Sequence, residues 1–377
     1  MKQRLIQLLV CFIIFSFLGG FYYINQKNYL KIKEIQYNIT QHPELLPQKE
    51  FAKYASFGFS NLRADIYWLE AIQYIGSNAI GSEYKKYLYT MLDLITELNP
   101  FFEKPYIIGQ LLLPSYNERY ETLSAEEQEN NKKQAEEIGL KGIQNFCDST
   151  KIEKIKKENN LEKIWTEQEY KNPCKTSDIA FGQGFLYYFY LKNPLEAANY
   201  YKIASANDDA LEGARIMAAI MNGKGGDREK SILMFLTLAD KEKEDESCSI
   251  FSKELQQVSY NTFMEGIPLS GEIIKNIEDL RKQYFTFDEE AEKQIIAGNN
   301  CNNYINKAIR ELNLAYIEQA NKKYFSEKGI NAKNAKILYD EGYLDFLPTD
   351  FQQYGEYGII YIFNEDTQNF DYEIGNY

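Results

Sequence analysis

The feature that most constrains this chain is a helical spacing of apolar residues from about residue 56 to residue 325. Leu62, Ile66, Leu69 and Ile72, with Tyr74 or Ile75, fall close to one face of a helix, because about 3.6 residues complete a turn. The pattern predicts a stack of amphipathic helices, with this face directed into its core. A chain of 377 residues is long enough for an extended array of this kind.

The same spacing continues downstream in paired segments. A second helix is predicted from Tyr84 to Asn99, and Pro100 ends it. Residues 148–172 are highly charged and poor in apolar residues, so we expect an insertion between paired helices there. Further helices are predicted at 104–113, 125–146, 178–191, 195–204, 211–221, 227–239, 247–264, 270–284, 303–325 and 334–341.

One of these hairpins carries a recognisable residue pattern. Gly184 is a small residue in its first helix, and Ala197, Tyr201 and Ala204 follow in its second helix. The hairpin resembles a tetratricopeptide repeat, a helix–turn–helix unit of about 34 residues. Phe235 stands at the aromatic position of the next, less regular unit. The resemblance covers roughly residues 60–240 and implies that these five residues form packing contacts between paired helices.

A second resemblance lies in residues 62–76. Their sequence, L-R-A-D-I-Y-W-L-E-A-I-Q-Y-I-G, is similar to the opening of a group of bacterial single-span tetratricopeptide proteins. The resemblance implies a mostly α fold, with a tetratricopeptide-like solenoid of helical hairpins behind an N-terminal transmembrane helix. It implies no particular biological role.

The N-terminal segment points to a membrane independently. Leu5 to Ile24 contains only Gln7 and Ser16 as clearly polar side chains. Twenty residues at about 1.5 Å per residue can cross a hydrocarbon core of about 30 Å. A cleaved signal peptide is the alternative, but no A-x-A-like site follows at the usual distance. We expect an uncleaved signal-anchor with its amino terminus inside and the body outside the cytoplasm.

The cysteines leave two interpretations open. Cys11 lies in the apolar segment, and no C-x-x-C pair typical of a zinc or thioredoxin-like site is present. The other four form either two disulfides in an oxidising compartment or ordinary buried thiols. Under the first interpretation, Cys147 and Cys174 stand at the two ends of the charged insertion and pair with each other, which leaves Cys248 and Cys301.

The last fifty residues differ in kind. A short helix, a turn at Leu347 to Asp350 and two strand-like runs at 357–363 and 370–374 predict a small helix plus β-hairpin. This tail resembles the carboxy-terminal part of pseudopilin-like modules. Asp340, Glu341 and Asp345 stand near Asp350, but their spacing lacks the calcium-loop pattern, which favours a solvated acidic surface.

Composition and motifs argue against catalysis and nucleic-acid binding. The formal charge is −13 and no concentrated basic face exists to neutralise phosphates. His42 is the single histidine and stands in a polar linker, so it cannot build a histidine-based metal site. Gly223 to Gly226 lacks the phosphate-loop pattern and predicts a turn between helices. We therefore expect a non-enzyme without cofactors or bound metals.

These observations predict four segments: a transmembrane signal-anchor (1–25), a linker (26–55), a helical-repeat body (56–325) and a C-terminal α/β hairpin module (326–377). Stacked hairpins expose a groove suited to an extended peptide or a partner helix. We expect a membrane-tethered scaffold that binds a protein or peptide. The alternative, favoured by the pseudopilin-like tail, is a structural or assembly component of a pilus-like or secretion-like machine of the cell envelope.

Overall fold

A computed structural model describes residues 14–29, 31, 43, 46–79, 83–241, 246–284, 301–354 and 357–377. The chain divides into two compact units, 1–138 and 139–377. The described residues are predominantly helical, with a small C-terminal β-sheet, which confirms the predicted fold class at this level. The predicted helices after residue 56 are all present, and their ends differ from the prediction by a few residues.

The first unit contains the helical residues 14–29, four further helices and the first part of a fifth. The consecutive pairs α2–α3 and α3–α4 pack together, and α1 packs on α3. Helix α3 places Leu88, Leu92 and Ile95 in the core. The helices are α1 (Lys49–Tyr54), α2 (Ser60–Ser77), α3 (Lys85–Leu98), α4 (Glu103–Leu112) and α5 (Ala125–Phe146), of which α5 continues into the second unit.

The second unit is built around consecutive helical hairpins. Asn193 caps one helix by accepting a hydrogen bond from the Glu196 N–H, and Pro194 occupies its first turn, where no N–H is needed. Gly226, with a φ of 83°, closes the predicted turn before the next helix. The four helices pack in sequence and are α8 (Asp178–Phe189), α9 (Pro194–Ser205), α10 (Glu212–Lys224) and α11 (Arg228–Lys241).

The charged insertion at residues 148–172 is itself helical, which the sequence did not predict. It forms α6 (Ser149–Lys157) and α7 (Leu161–Thr166), capped by the side chains of Asp148 and Asn160. Both helices pack on α9. The sequence did not indicate these two helices because the insertion contains few apolar side chains. Those few are concentrated on its inner face, where Ile155, Leu161, Ile164 and Trp165 are buried.

A long helix completes the second unit. Helix α14 (Cys301–Lys328) packs against α11 and is buried along most of its length. Helix α12 (Glu246–Ser259) continues into a π-helical turn (Tyr260–Met264), and both α12 and α13 (Gly271–Tyr284) contact α14. These contacts make α14 the central element of the carboxy-terminal half.

The C-terminal segment is a three-stranded antiparallel sheet beside the short helix α15 (Ala335–Asp340). Tyr361 and Phe370, in the two predicted strands, are fully buried. The outer strand packs on α14, so the tail belongs to the core of the second unit. The strands are β1 (Gln353–Tyr354), which the sequence did not predict, β2 (Tyr357–Asn364) and β3 (Asn369–Gly375).

Candidate functional site

An exposed aliphatic stripe runs along α2 in the first unit. It consists of Leu62, Ile66, Leu69 and Ile72, whose side chains are between 37% and 60% exposed. The prediction that these four residues face the core is therefore wrong. Residues at this spacing lie one above another on a helix, which makes the stripe a continuous apolar surface.

The opposite face of α2 forms the core contact. Ala64, Tyr67, Ala71 and Tyr74 are buried on α2, which packs on α3. The Tyr74 hydroxyl donates to the Glu83 carbonyl at 3.3 Å, which ties this face to the segment that leads into α3. Alanine lets two helices approach closely, and a tyrosine ring buries a large area. The small and aromatic residues thus occupy the interior, and the larger aliphatic residues remain outside.

Glu70 lies next to the stripe in an unfavourable environment. One of its carboxylate oxygens is buried and has no hydrogen-bond partner within the described residues. Burial raises the pKa of Glu70 to about 6. A buried carboxylate oxygen without a hydrogen-bond partner destabilises the folded unit.

A second apolar surface lies where α1 meets α2. Phe51, Tyr54, Phe57 and Phe59 are between 68% and 87% exposed, and we call these four residues the aromatic corner. Phe57 has a φ of 47° and the following Gly58 a φ of 86°. A left-handed backbone is uncommon for a bulky residue such as phenylalanine. The tight turn thus holds Phe57 in a strained conformation with its ring directed to solvent.

The N-terminal helical residues 14–29 are exposed throughout. Their large apolar side chains, among them Phe15, Phe17 and Tyr22, are more than half exposed. Among the described residues, no helix has both the length and the apolar character needed to span a bilayer. The first half of the predicted span at 5–24, including Cys11, lies outside the described residues, as does His42.

The four cysteines of the body form two pairs in the structure. Cys147 is bonded to Cys174, and the two residues also form an antiparallel β-bridge at the base of the insertion. Cys248, in α12, is bonded to Cys301 at the start of α14. The first bond closes the insertion between its ends, and the second joins two helices across residues outside the described part of the chain.

The insertion has a second attachment through Lys202 of α9. The Lys202 ammonium is buried and donates to the carbonyl oxygens of Lys156 and Glu158, both at 3.0 Å. These carbonyls lie at the C-terminal end of α6, where cations interact favourably with unpaired acceptors. Burial lowers the pKa of Lys202 to about 8. The disulfide and this lysine together hold the insertion on the hairpin stack.

The five predicted repeat-packing residues are only partly brought together. Gly184 of α8 lies against the Tyr201 ring of α9, where an added Cβ would be 3.2 Å from the ring carbons. Ala197 and Ala204 are fully buried on the same helix as Tyr201. Phe235 is buried farther along the chain in α11, which packs on α10 and α14.

A buried ionic network beneath the C-terminal sheet was missed by the sequence reasoning. Arg310 of α14 donates two hydrogen bonds of 2.7 Å to the carboxylate of Asp350, and the Tyr361 hydroxyl donates to the same group. Asp350 was predicted to belong to a solvated acidic surface, which is wrong. Arg228 of α11 binds Glu311 and Glu318 of α14 in the same region. These pairs join α11, α14 and the tail.

The described residues contain no group of three histidine, cysteine or acidic side chains arranged to hold a metal ion. Shallow concavities exist, for example one of about 690 Å³ beside the Cys147–Cys174 bond. The stripe and the aromatic corner are exposed apolar surfaces of the first unit. Comparisons with protein-family models, with curated proteins and with solved structures find no match for this chain.

Proposed function

We propose that this protein is a membrane-tethered scaffold that binds a partner protein through the aliphatic stripe of α2. The observation that carries the proposal is the exposure of Leu62, Ile66, Leu69 and Ile72 on a helix whose other face is fully packed. Aliphatic residues at i, i+4, i+7 and i+10 are the side chains with which one helix packs into a groove or against a second helix.

The tether is supported by the N-terminal residues. An apolar helix whose large side chains are all exposed to water is unfavourable, and a lipid environment would remove that exposure. Residues 5–13 extend the apolar character toward the amino terminus. We propose that residues 5–24 anchor the protein in a membrane as a single-pass span.

The two disulfides support a body outside the cytoplasm, because such bonds persist in oxidising compartments. The hairpin stack supports the resemblance to tetratricopeptide proteins. Its helices are joined by short turns, and the Gly184–Tyr201 contact is the small-to-aromatic packing that the repeat uses. We propose that α8 to α11 form a tetratricopeptide-like stack within the second unit.

The scaffold proposal can be tested by photocrosslinking in native membranes. A photoreactive phenylalanine derivative at Leu69 should form an adduct with one defined protein. The control is Ile250, an exposed aliphatic residue on α12 of the second unit, which should form none. Lipid adducts alone at Leu69, or no adduct, would overturn binding of a protein by the stripe. A stoichiometric complex of several envelope proteins would favour the assembly-component alternative.

The tether has its own test. The full-length chain should stay in the membrane pellet after washing with alkaline carbonate, and its amino-terminal peptide should be recovered intact. Release into the supernatant, or a mature chain that begins near residue 21, would contradict the anchor.

A further inference from the structure

The aromatic corner has no function in the folded unit itself. Phe57 is 87% exposed and Tyr54 is 84% exposed, so neither contributes to the core. None of its four rings packs on another ring within the described part of the chain. The strained turn at Phe57 nevertheless keeps these rings outside. Backbone strain of this kind persists where the surrounding structure imposes it, often at binding sites.

The chemistry of the corner distinguishes it from the stripe on α2. The stripe is aliphatic and follows a helical spacing, which fits a protein helix. The corner is aromatic, and aromatic side chains are those that prefer the boundary between lipid headgroups and acyl chains. A turn that presents separate rings also lacks the continuous groove into which a helix packs.

The charges around the corner indicate which force would hold it on a bilayer. Lys49 and Lys53 flank the rings, but they pair with Asp93 and Glu97 of α3. They are therefore already compensated within the unit, and the whole chain carries a formal charge of −13. Attraction to anionic headgroups would be weak for such a protein. Contact with a bilayer would depend on burial of the aromatic rings.

The position of the corner in the chain keeps it near the membrane that holds the proposed span. Phe51 follows Ile24, the end of the predicted span, by 27 residues. A linker of this length reaches at most about 90 Å when extended, so the corner cannot move farther than that from the end of the span. A tethered group meets its target at a high effective concentration, and a weak individual interaction is then sufficient.

We propose that the aromatic corner inserts into the interfacial region of the bilayer that holds the N-terminal segment, so that the first unit lies against that membrane. This inference rests on the proposed membrane tether. It is independent of the partner of the stripe. The lipid contact is made by Phe51, Tyr54, Phe57 and Phe59 and is driven by apolar burial, with little dependence on headgroup charge.

Spin labelling of the full-length chain in phosphatidylcholine vesicles tests the inference. The label is placed by Phe57→Cys in a Cys11→Ser background, which leaves the four remaining cysteines in their disulfides. The matched control is Tyr120→Cys, an exposed aromatic position in the same unit. We expect the label at position 57 to be several-fold more accessible to oxygen, relative to a water-soluble nickel complex, than the label at position 120.

Each other outcome overturns the inference in a recognisable way. Equal nickel accessibility at both positions places the corner in water. Exclusion of both reagents at position 57 shows that a protein surface covers it. Protection that requires added phosphatidylserine and is lost at high salt shows binding to headgroups instead of ring insertion. A carbonate wash of the same vesicles separates the two proposals, because release of the protein contradicts the tether, whereas retention with a nickel-accessible corner contradicts only the insertion.

Discussion

The guanidinium of Arg310 forms a two-point ion pair with Asp350, and both side chains are at most 4% exposed. Asp350 also accepts from Tyr361, whose hydroxyl accepts in turn from the Asn313 amide. Burial alone would lower the pKa of Arg310, but the nearby Asp350 carboxylate raises it, so the pair is held in its charged form. The turn before β1 is thereby fixed to the middle of α14.

The first prediction concerns this ion pair. Asp350→Ala should reduce the free energy of unfolding by about 3–5 kcal/mol, because it leaves the Arg310 charge buried without a partner. The control is Asp340→Ala, which breaks the exposed pair with Lys336 and should cost about 0–1 kcal/mol. Denaturant unfolding of both variants is the measurement. Equal small losses would show that the tail is not held by the pair.

The second prediction concerns the close approach of α10 and α14. A Cβ added at Gly223 would lie 2.5 Å from the carboxyl carbon of Glu311, which Arg228 holds in place. Gly223→Ala should therefore destabilise the protein by about 1–3 kcal/mol. Gly213→Ala, on the same helix, meets no neighbouring atom and should be neutral or stabilising by up to about 1 kcal/mol. Melting temperatures that rise for both would contradict the contact.

The third prediction concerns pH and Glu70. Its pKa is about 6 in the folded chain, against an ordinary value of 4.5. The folded state binds the proton more tightly, so stability should fall as pH rises from 4.5 through 6. Glu70→Gln should therefore be the more stable protein above pH 6, by less than about 1 kcal/mol because the group is half exposed.

This gain from Glu70→Gln should shrink below pH 6 and disappear below pH 4.5. Gln73→Asn, at an exposed position of the same helix, changes no ionisable group and serves as the control, so its effect should not vary between these pH values. Thermal unfolding from pH 4 to pH 8 measures both variants. A constant difference between wild type and Glu70→Gln would show that Glu70 has an ordinary pKa.

The fourth prediction concerns the disulfide at the base of the insertion. The bond joins residues 27 positions apart, and closing a loop of this length contributes about 3–4 kcal/mol on the chain-entropy model. The double variant Cys147→Ser/Cys174→Ser should melt at a lower temperature, while α6 and α7 stay packed through Ile155 and Trp165.

Peptide mapping without reductant, on protein from its native membrane, should recover residues 147 and 174 in one linked species. Free thiols at both positions would remove the disulfide and weaken the extracytoplasmic placement. They would leave the helical stack unaffected, because its helices pack without the bond.

Local patterns were sufficient to predict the helices and the hairpin of the tail. Pro100 follows the end of α3, Pro194 begins α9, and the glycines at 223–226 separate α10 from α11. Each of these signals acts on the backbone of its own few residues, so it does not depend on the rest of the fold. The same is true of β2 and β3, whose strand-forming residues flank a short turn.

The choice of buried face was decided by tertiary structure. On α2, both faces carry residues able to pack, and the aliphatic face had the clearer apolar spacing. The face with Ala64 and Tyr67 was buried because it packs on α3, and no property of α2 alone specifies that neighbour. The sequence identified the stripe as one apolar face of α2 and assigned that face to the core, whereas it is exposed.

The amino-acid sequence by itself therefore determined the helical class, the approximate positions of most helices and the apolar N-terminal segment, because local spacing and turn chemistry control these features. Tertiary structure alone decided that Arg310 meets Asp350 and that Gly223 meets Glu311, 40 and 88 positions apart in the chain. It also left the stripe and the aromatic corner uncovered. Long-range contacts depend on which surfaces the folded chain brings together, and a single sequence carries no local signal for them.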